Sequence, residues 1–171
     1  MSQKDLKIYL KGLKKIQLED QIIDLYKRFK DVKSYYDFAF NPKEDKLLEE
    51  CKFKIKKEYF PENGRKSKAR RSVAHKYIRK FIQLGVDEKI IADIMLFNVE
   101  IAQAFSIEKY IKQESFYISL LKSFEEAVIF IGEKGLIPDF QTRIEKIALF
   151  TKEQNWFNYN QFVKHSLNRA L

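Results

Sequence analysis

The sequence predicts an all-α fold of seven or eight antiparallel helices around a buried central helix. Apolar residues recur at three- and four-residue steps along most of the chain, and no stretch alternates with a period of two. Only 5 Gly and 3 Pro occur in 171 residues, which argues against a loop-rich or all-β protein. Lys, Glu, Leu and Ile are abundant, and their helix propensity or wide apolar faces favour helical packing.

The central helix is the stretch from Asp87 to Phe105, in which apolar residues fall on almost every side. A helix of this kind is expected to be covered by neighbouring helices all round. Four residues form one narrow polar stripe that is expected to reach water: Lys89, Asp93, Glu100 and Gln103. Asn98 lies on the opposite side, where a buried amide needs hydrogen-bond partners. A polar contact that fixes the packing register is the favoured interpretation of Asn98, and a ligand role is the alternative.

The first helices are bounded by recognisable capping and breaking residues. Ser2 and Asp5 have the spacing of a capping box before a short helix that ends near residue 13. One continuous helix is predicted from Leu18 to about Phe40, because its apolar face is unbroken and Pro42 then ends it. A third amphipathic helix is expected to run through Phe60.

The remaining helices are separated by glycine, proline and capping residues. A helix over residues 73–84 is closed by Gly85, and Asp87 caps the central helix. A new helix is expected to begin near Ser106 and to run to residue 133, followed by helices over 139–153 and from about 156 to 170. The short connections favour a stack of helical hairpins, although no fixed-period repeat is present and a helix buried all round suits an irregular bundle.

A single helical domain spanning residues 1–171 is predicted, since this length is close to that of an average domain. The net charge of +9 is unevenly distributed: residues 1–85 carry 23 Lys and Arg against 12 Asp and Glu, whereas residues 86–171 carry 10 against 12. The N-terminal half is therefore basic, and the C-terminal half is nearly neutral.

A cytoplasmic protein is expected. The start MSQKDLKIYL lacks the apolar stretch of a signal peptide, and no uninterrupted apolar run approaches the ~18 residues of a membrane span. The single cysteine, Cys51, allows no internal disulfide and is interpreted as a packed thiol. No membrane partner is predicted.

The strongest candidate site is the basic segment, Arg65 to Lys80, which holds the run RKSKARRS and continues into a helix. Guanidinium groups beside the free N–H groups of a helix start form a plausible receptor for phosphate or carboxylate. The candidate residues for binding an anion or nucleic acid are Arg65, Lys66, Lys68, Arg70, Arg71, Lys76, Arg79 and Lys80. The alternative is a solvated basic loop in a lysine-rich protein.

No catalytic residue, metal site or cofactor is predicted. One Cys and two His cannot supply a four-ligand zinc site, and neither His75 nor His165 has the Glu-x-x-His spacing of helical carboxylate metal centres. His75 is interpreted as a surface or interface histidine, because Cys51 and Ser72 give it no evident triad. An enzyme is therefore the least favoured class.

The segments KDLKIYL, EDQIIDLYKRFKDVKSYYDFAFNP and FPENGRKSKARRSVAHKYI, together with the central helix, resemble a family of small all-helical bacterial proteins known only as a domain of unknown function. NGRKSKARRS is the most recognisable part of this resemblance. The resemblance implies a helical, bacterial, cytoplasmic protein, and it implies no activity.

Two functions from different classes remain as hypotheses. The first is a non-enzymatic helical interaction module that binds an unknown protein partner or itself. The second is a protein that binds nucleic acid, phosphate or an acidic partner through the basic segment, with an affinity that falls steeply with salt.

Overall fold

The computed structural model describes residues 2–167, which form nine helices and no strand. The helices are α1 (Gln3–Lys11), α2 (Lys15–Arg28), α3 (Lys30–Phe40), α4 (Glu44–Tyr59), α5 (Arg71–Leu84), α6 (Glu88–Glu108), α7 (Glu114–Glu133), α8 (Ile137–Glu153) and α9 (Tyr159–Leu167). The prediction of an all-α fold is confirmed. The predicted extension of the last helix to residue 170 lies in part outside the described residues.

The chain divides after Lys43 into two compact units, an N-terminal unit with α1 to α3 and a C-terminal unit with α4 to α9. That the 171 residues act as one domain stays a prediction.

The N-terminal unit has three short helices and no buried residue between positions 2 and 43. The predicted capping box is present, since the Ser2 backbone N–H donates to the Asp5 carboxylate at 2.8 Å and the Asp5 backbone N–H donates to the Ser2 hydroxyl at 3.2 Å. The helix predicted from Leu18 to Phe40 is two helices, because Phe29 adopts an extended conformation with φ −116° and ψ 117°. No glycine or proline marks this break in the sequence.

The C-terminal unit is built around α6, which packs against α4, α5, α7 and α8. This arrangement is an irregular bundle around a central helix, whereas in a stack of hairpins each helix would contact only its neighbours. Helix α6 begins where predicted, since the Asp87 carboxylate accepts from the Lys89 backbone N–H at 2.7 Å. It continues to Glu108 without the predicted restart at Ser106, whose hydroxyl donates to the Gln103 carbonyl within the helix at 2.6 Å.

Aromatic rings fill much of the core of the C-terminal unit. Phe81, Phe124 and Phe162 are fully buried, and the rings of Phe124 and Phe162 lie 5.1 Å apart. Trp156 is buried at 6% exposure and packs edge-on against Tyr117 with 4.9 Å between ring centroids. The side-chain amide of Asn158, directly before α9, also donates to the Tyr117 carbonyl. The ring contacts and this hydrogen bond together hold the start of α9 against α7.

Within the described part of the chain, α6 is long and apolar enough to cross a membrane by length and composition. More than half of the relevant stretch is buried inside the protein, which is typical of a core helix. No uninterrupted apolar run reaches this length, because Asp93, Asn98, Glu100 and Gln103 interrupt the apolar sequence of α6.

Candidate functional site

The basic segment begins as a loop that is fastened to the end of α4. The backbone N–H groups of Lys68 and Ala69 both donate to the carbonyl of Glu58 at 2.9 Å. Ala69 has a φ of +47°, a conformation that is uncommon for a residue other than glycine. Two backbone hydrogen bonds to one carbonyl therefore fix the chain directly before α5.

Arg70 is held by an ion pair and is not available as a free cation. Its Nε and Nη2 donate to the two carboxylate oxygens of Glu58 at 2.8 and 2.9 Å. This two-pronged hydrogen bond is the main reason why the pKa of Glu58 is lowered, and the nearby charge of Lys68 lowers it further.

Arg71, the first residue of α5, joins that helix to α7. Its Nε donates to the Ser123 hydroxyl at 2.5 Å, and its Nη2 donates to the Glu126 carboxylate at 2.8 Å. The side chain is 27% exposed. Arg71 therefore joins two helices in addition to carrying a charge. The sequence did not indicate this role, because Glu126 lies 55 residues away.

The other six candidate residues are exposed, and they fall into two groups. Arg65, Lys66 and Lys68 lie in the loop, whereas Lys76, Arg79 and Lys80 lie on the outer face of α5. None of the six forms an ion pair with a carboxylate within the described residues, although Arg79 donates weakly to the His75 carbonyl at 3.4 Å. Six of the eight predicted residues are therefore exposed and without a carboxylate partner among the described residues, whereas Arg70 and Arg71 are held by ion pairs.

The start of α5 lacks a side-chain cap. Arg70 occupies the capping position with an extended backbone, and its side chain makes no capping hydrogen bond. A first helical turn without a cap leaves backbone N–H groups without a side-chain acceptor, at the end of the helix where the dipole is positive. This position is the one that the sequence predicts for an anion.

The polar stripe of α6 reaches water only in part, since Lys89 is exposed whereas Asp93 and Glu100 are half-buried. Arg143 of α8 covers it, donating from Nε and Nη2 to the Glu100 carboxylate at 2.6 and 2.8 Å and also donating to the Asp93 carboxylate. Lys52 of α4 makes a further ion pair with Asp93. Gln103 is buried at 5% exposure and donates to the Ile147 carbonyl at 2.9 Å. The result is an ion-pair cluster on α6 that joins this helix to α4 and α8; its members are Asp93, Glu100, Arg143 and Lys52.

Asn98 is buried as predicted, at 1% exposure, but one of its polar atoms is unpaired. Its Oδ1 accepts no hydrogen bond from any described residue. The interpretation of Asn98 as a polar contact that fixes the packing register is therefore not supported by a hydrogen bond to this oxygen.

The environment of Cys51 does not favour a reactive thiolate, and that of His75 favours a neutral imidazole. Burial raises the pKa of the Cys51 thiol to about 12, against a smaller lowering by Lys52, so the thiol stays protonated at neutral pH. Burial, and next the charge of Arg71, lowers the pKa of His75, whose Nε2 is buried without a partner. The described residues contain no cluster of three or more His, Cys, Asp or Glu that could hold a metal ion.

A comparison with known families places the chain. The model of a family of unknown function, DUF6155, matches residues 1–168. The chain belongs to the DUF6155 family. The match covers the segments on which the resemblance was based, and that resemblance is thereby confirmed, whereas a bacterial origin stays a prediction. No curated protein and no solved structure matches this DUF6155 chain.

A second candidate surface of this DUF6155 protein lies in its N-terminal unit. An apolar groove of about 580 Å³ runs between α2 and α3, lined by Ile22, Ile23, Tyr26, Tyr36, Asp37, Phe40 and Asn41. The hydroxyl of Tyr26 donates to Asp37 at 2.7 Å, and the rings of Tyr36 and Phe40 stack with 6.2 Å between centroids. The hydrogen bond joins α2 to α3, whereas the ring stack lies within α3, and the groove between the two helices is open.

Proposed function

We propose that the protein is a non-enzymatic interaction module whose N-terminal unit binds a protein partner through apolar side chains. One observation carries the proposal: residues 2–43 contain no buried residue, yet ten of their large hydrophobic side chains are exposed. They are Leu6, Ile8, Tyr9, Ile16, Ile22, Ile23, Leu25, Phe29, Tyr35 and Phe40.

The size of the N-terminal unit supports this proposal. Chains of about 40 residues rarely bury enough surface to be stable alone and usually depend on disulfides, metals or association. This unit has no cysteine, since Cys51 lies outside it. Apolar faces of this kind are stabilised when a partner covers them.

The groove between α2 and α3 suits the apolar face of an amphipathic helix. Such helices insert side chains spaced three and four residues apart into apolar grooves. Phe40 lines the groove and is 84% exposed, more than any other large hydrophobic side chain of residues 2–43.

The proposal is tested by measuring association of the full chain. A photo-crosslinking residue placed at Phe40 should give one defined adduct in cells, or a dimer of the chain, and Ile23→Ser should abolish that adduct. Ile129→Ser is the matched control, because Ile129 of α7 is exposed to the same degree, 51% against 50% for Ile23. Absence of both a defined adduct and a concentration-dependent mass in sedimentation would refute the proposal.

Nucleic-acid binding is the second candidate function, favoured by the exposed cations without carboxylate partners. Fluorescence anisotropy with labelled DNA and RNA tests it, using a variant in which Arg65, Lys66, Lys76, Arg79 and Lys80 are changed to Ser. Arg70 and Arg71 are kept, because they are held by internal ion pairs.

Five phosphate contacts predict an affinity loss of several hundredfold between 50 and 200 mM salt, by the counterion-release slope. A control variant removes three exposed lysines elsewhere in the C-terminal unit: Lys122, Lys146 and Lys152. Equal loss of binding in both variants would indicate a general charge effect and would contradict a defined nucleic-acid site.

A further inference from the structure

Asn98 is the buried polar side chain that packing explains least. It is 99% buried in the centre of α6, and its Oδ1 has no hydrogen-bond partner among residues 2–167. Buried amides are nearly always satisfied, because leaving one unpaired reduces the stability of the fold. An unpaired amide oxygen on a residue that lines a pocket is accounted for if a ligand supplies a hydrogen-bond donor.

Such a pocket is present at Asn98. It has a volume of about 310 Å³ and is lined by Lys68, Arg71, Asn98, Ser115, Ser119 and the ring of Phe116, among others. Its rim is formed by the loop before α5 and the first turns of α7, and its floor by α6. The volume is at the lower end of the range for small-molecule sites.

The rim of the pocket favours an anion. Lys68 is exposed and forms no ion pair within the described part of the chain, and α5 starts at Arg71 without a side-chain cap. Two carboxylates lie nearby, but Glu58 is held by Arg70 and Glu126 by Arg71. Ser115 and Ser119 of α7 also line the pocket, and a serine hydroxyl can act as a neutral donor.

We propose that this pocket binds a small phosphate monoester. The phosphate would lie at the start of α5, within reach of Lys68, the first-turn N–H groups and the two serine hydroxyls, because a phosphate has three acceptor oxygens to fill. A hydroxyl or amino group of the ligand would then reach the Asn98 amide. The pocket lies within the C-terminal unit and shares no residue with the groove between α2 and α3, and of the candidate residues for nucleic acid it includes only Lys68 and Arg71.

The test is an NMR titration of the ¹⁵N-labelled full chain with inorganic phosphate, glycerol 3-phosphate and acetate. Glycerol 3-phosphate should shift the side-chain NH₂ signals of Asn98 and the backbone N–H signals of Arg71 and Ser72 in a saturable manner. It should bind about tenfold more tightly than inorganic phosphate, since only its hydroxyls extend to Asn98. Acetate should bind most weakly, because it has fewer acceptor oxygens.

Three variants make the test specific. Asn98→Leu should abolish the advantage of glycerol 3-phosphate over inorganic phosphate, and Lys68→Ala should weaken both about tenfold. Lys80→Ala is the matched control, since this exposed lysine of α5 does not line the pocket, and it should leave binding unchanged. Lys68→Ala alters only an exposed side chain, so it stays informative even if Asn98→Leu does not fold.

Two results would overturn the proposal. One is the absence of a saturable shift at Asn98 with either phosphate compound. The other is a loss of binding in Lys80→Ala as large as that in Lys68→Ala, which would indicate diffuse attraction to surface lysines. The nucleic-acid function is tested separately, because the five-residue variant designed for it retains Lys68, Arg71 and Asn98 and so leaves this pocket intact.

Discussion

Replacing Arg143 with Met should lower the free energy of unfolding of the C-terminal unit by about 2–3 kcal/mol. The Arg143 guanidinium donates to both carboxylate oxygens of Glu100 and to the Asp93 carboxylate, across 43 and 50 residues of chain. Breaking a fully buried pair costs about 3–5 kcal/mol, whereas an exposed pair is worth at most about 1 kcal/mol. The three side chains are 23–34% exposed, which places the expected loss between these limits.

The fluorescence of Trp156 measures this effect directly, because it is the only tryptophan and is buried in the C-terminal unit. Urea unfolding of Arg143→Met is compared with that of Lys89→Met, which removes an exposed ion pair with Asp139 and should change the midpoint little. Arg143→Lys should be intermediate, since an ammonium keeps the charge but loses the two-pronged geometry. A loss below about 1 kcal/mol in Arg143→Met would show that water already solvates both carboxylates.

Acid unfolding provides a second readout of the same cluster. Burial raises the pKa of Asp93, but hydrogen bonds from Lys52 and Arg143 outweigh it and hold this pKa below 3.8. The stabilisation from Asp93 is therefore fully present above the unfolded-state pKa and is lost as the pH falls through the lower folded-state value. In Arg143→Met the Asp93 pKa rises, so acid unfolding should begin at a higher pH. An acid-unfolding midpoint that is unchanged, once the lower stability of the variant at neutral pH is allowed for, would contradict this reasoning.

Three further predictions concern the C-terminal unit. Cys51 should react with a thiol reagent at pH 8 at least a hundredfold more slowly in the folded protein than in urea, because burial raises its pKa to about 12. Gly85→Ala should lower the free energy of unfolding by about 1 kcal/mol, since Gly85 ends α5 with a φ of +71°. Gly132→Ala inside α7 should raise the free energy of unfolding by up to about 1 kcal/mol. Thermal unfolding should therefore show a lower midpoint for the first variant and a higher midpoint for the second. Phe124→Ala should cost about 3–5 kcal/mol in urea unfolding, because the ring is fully buried against Phe162.

Features that depend on local spacing were predictable from the sequence. The all-α class follows from the helical periodicity, and the burial of α6 follows from its apolar residues on nearly every side. The Ser2 capping box, the left-handed Gly85 and the Asp87 cap are each set by residues within a few positions of one another.

Features that depend on distant residues were not predictable. The polar stripe of α6 resembles a solvated face until Arg143 and Lys52, from two other helices, are placed over it. Arg70 and Arg71 similarly resemble free cations in the sequence, because nothing local indicates Glu58 and Glu126 as their partners. The break at Phe29 also lacks a local signal, since residues on both sides of it favour helix.

The ion-pair cluster on α6 has a consequence for the order in which the C-terminal unit assembles. During synthesis, Asp93 and Glu100 leave the ribosome well before Arg143, which follows Asp93 by 50 residues. Until α8 is made, the helix at the centre of the unit carries a carboxylate that its covering arginine has not yet reached. The pairing of Glu100 with Arg143 is therefore a long-range contact that forms only after α8 has been made.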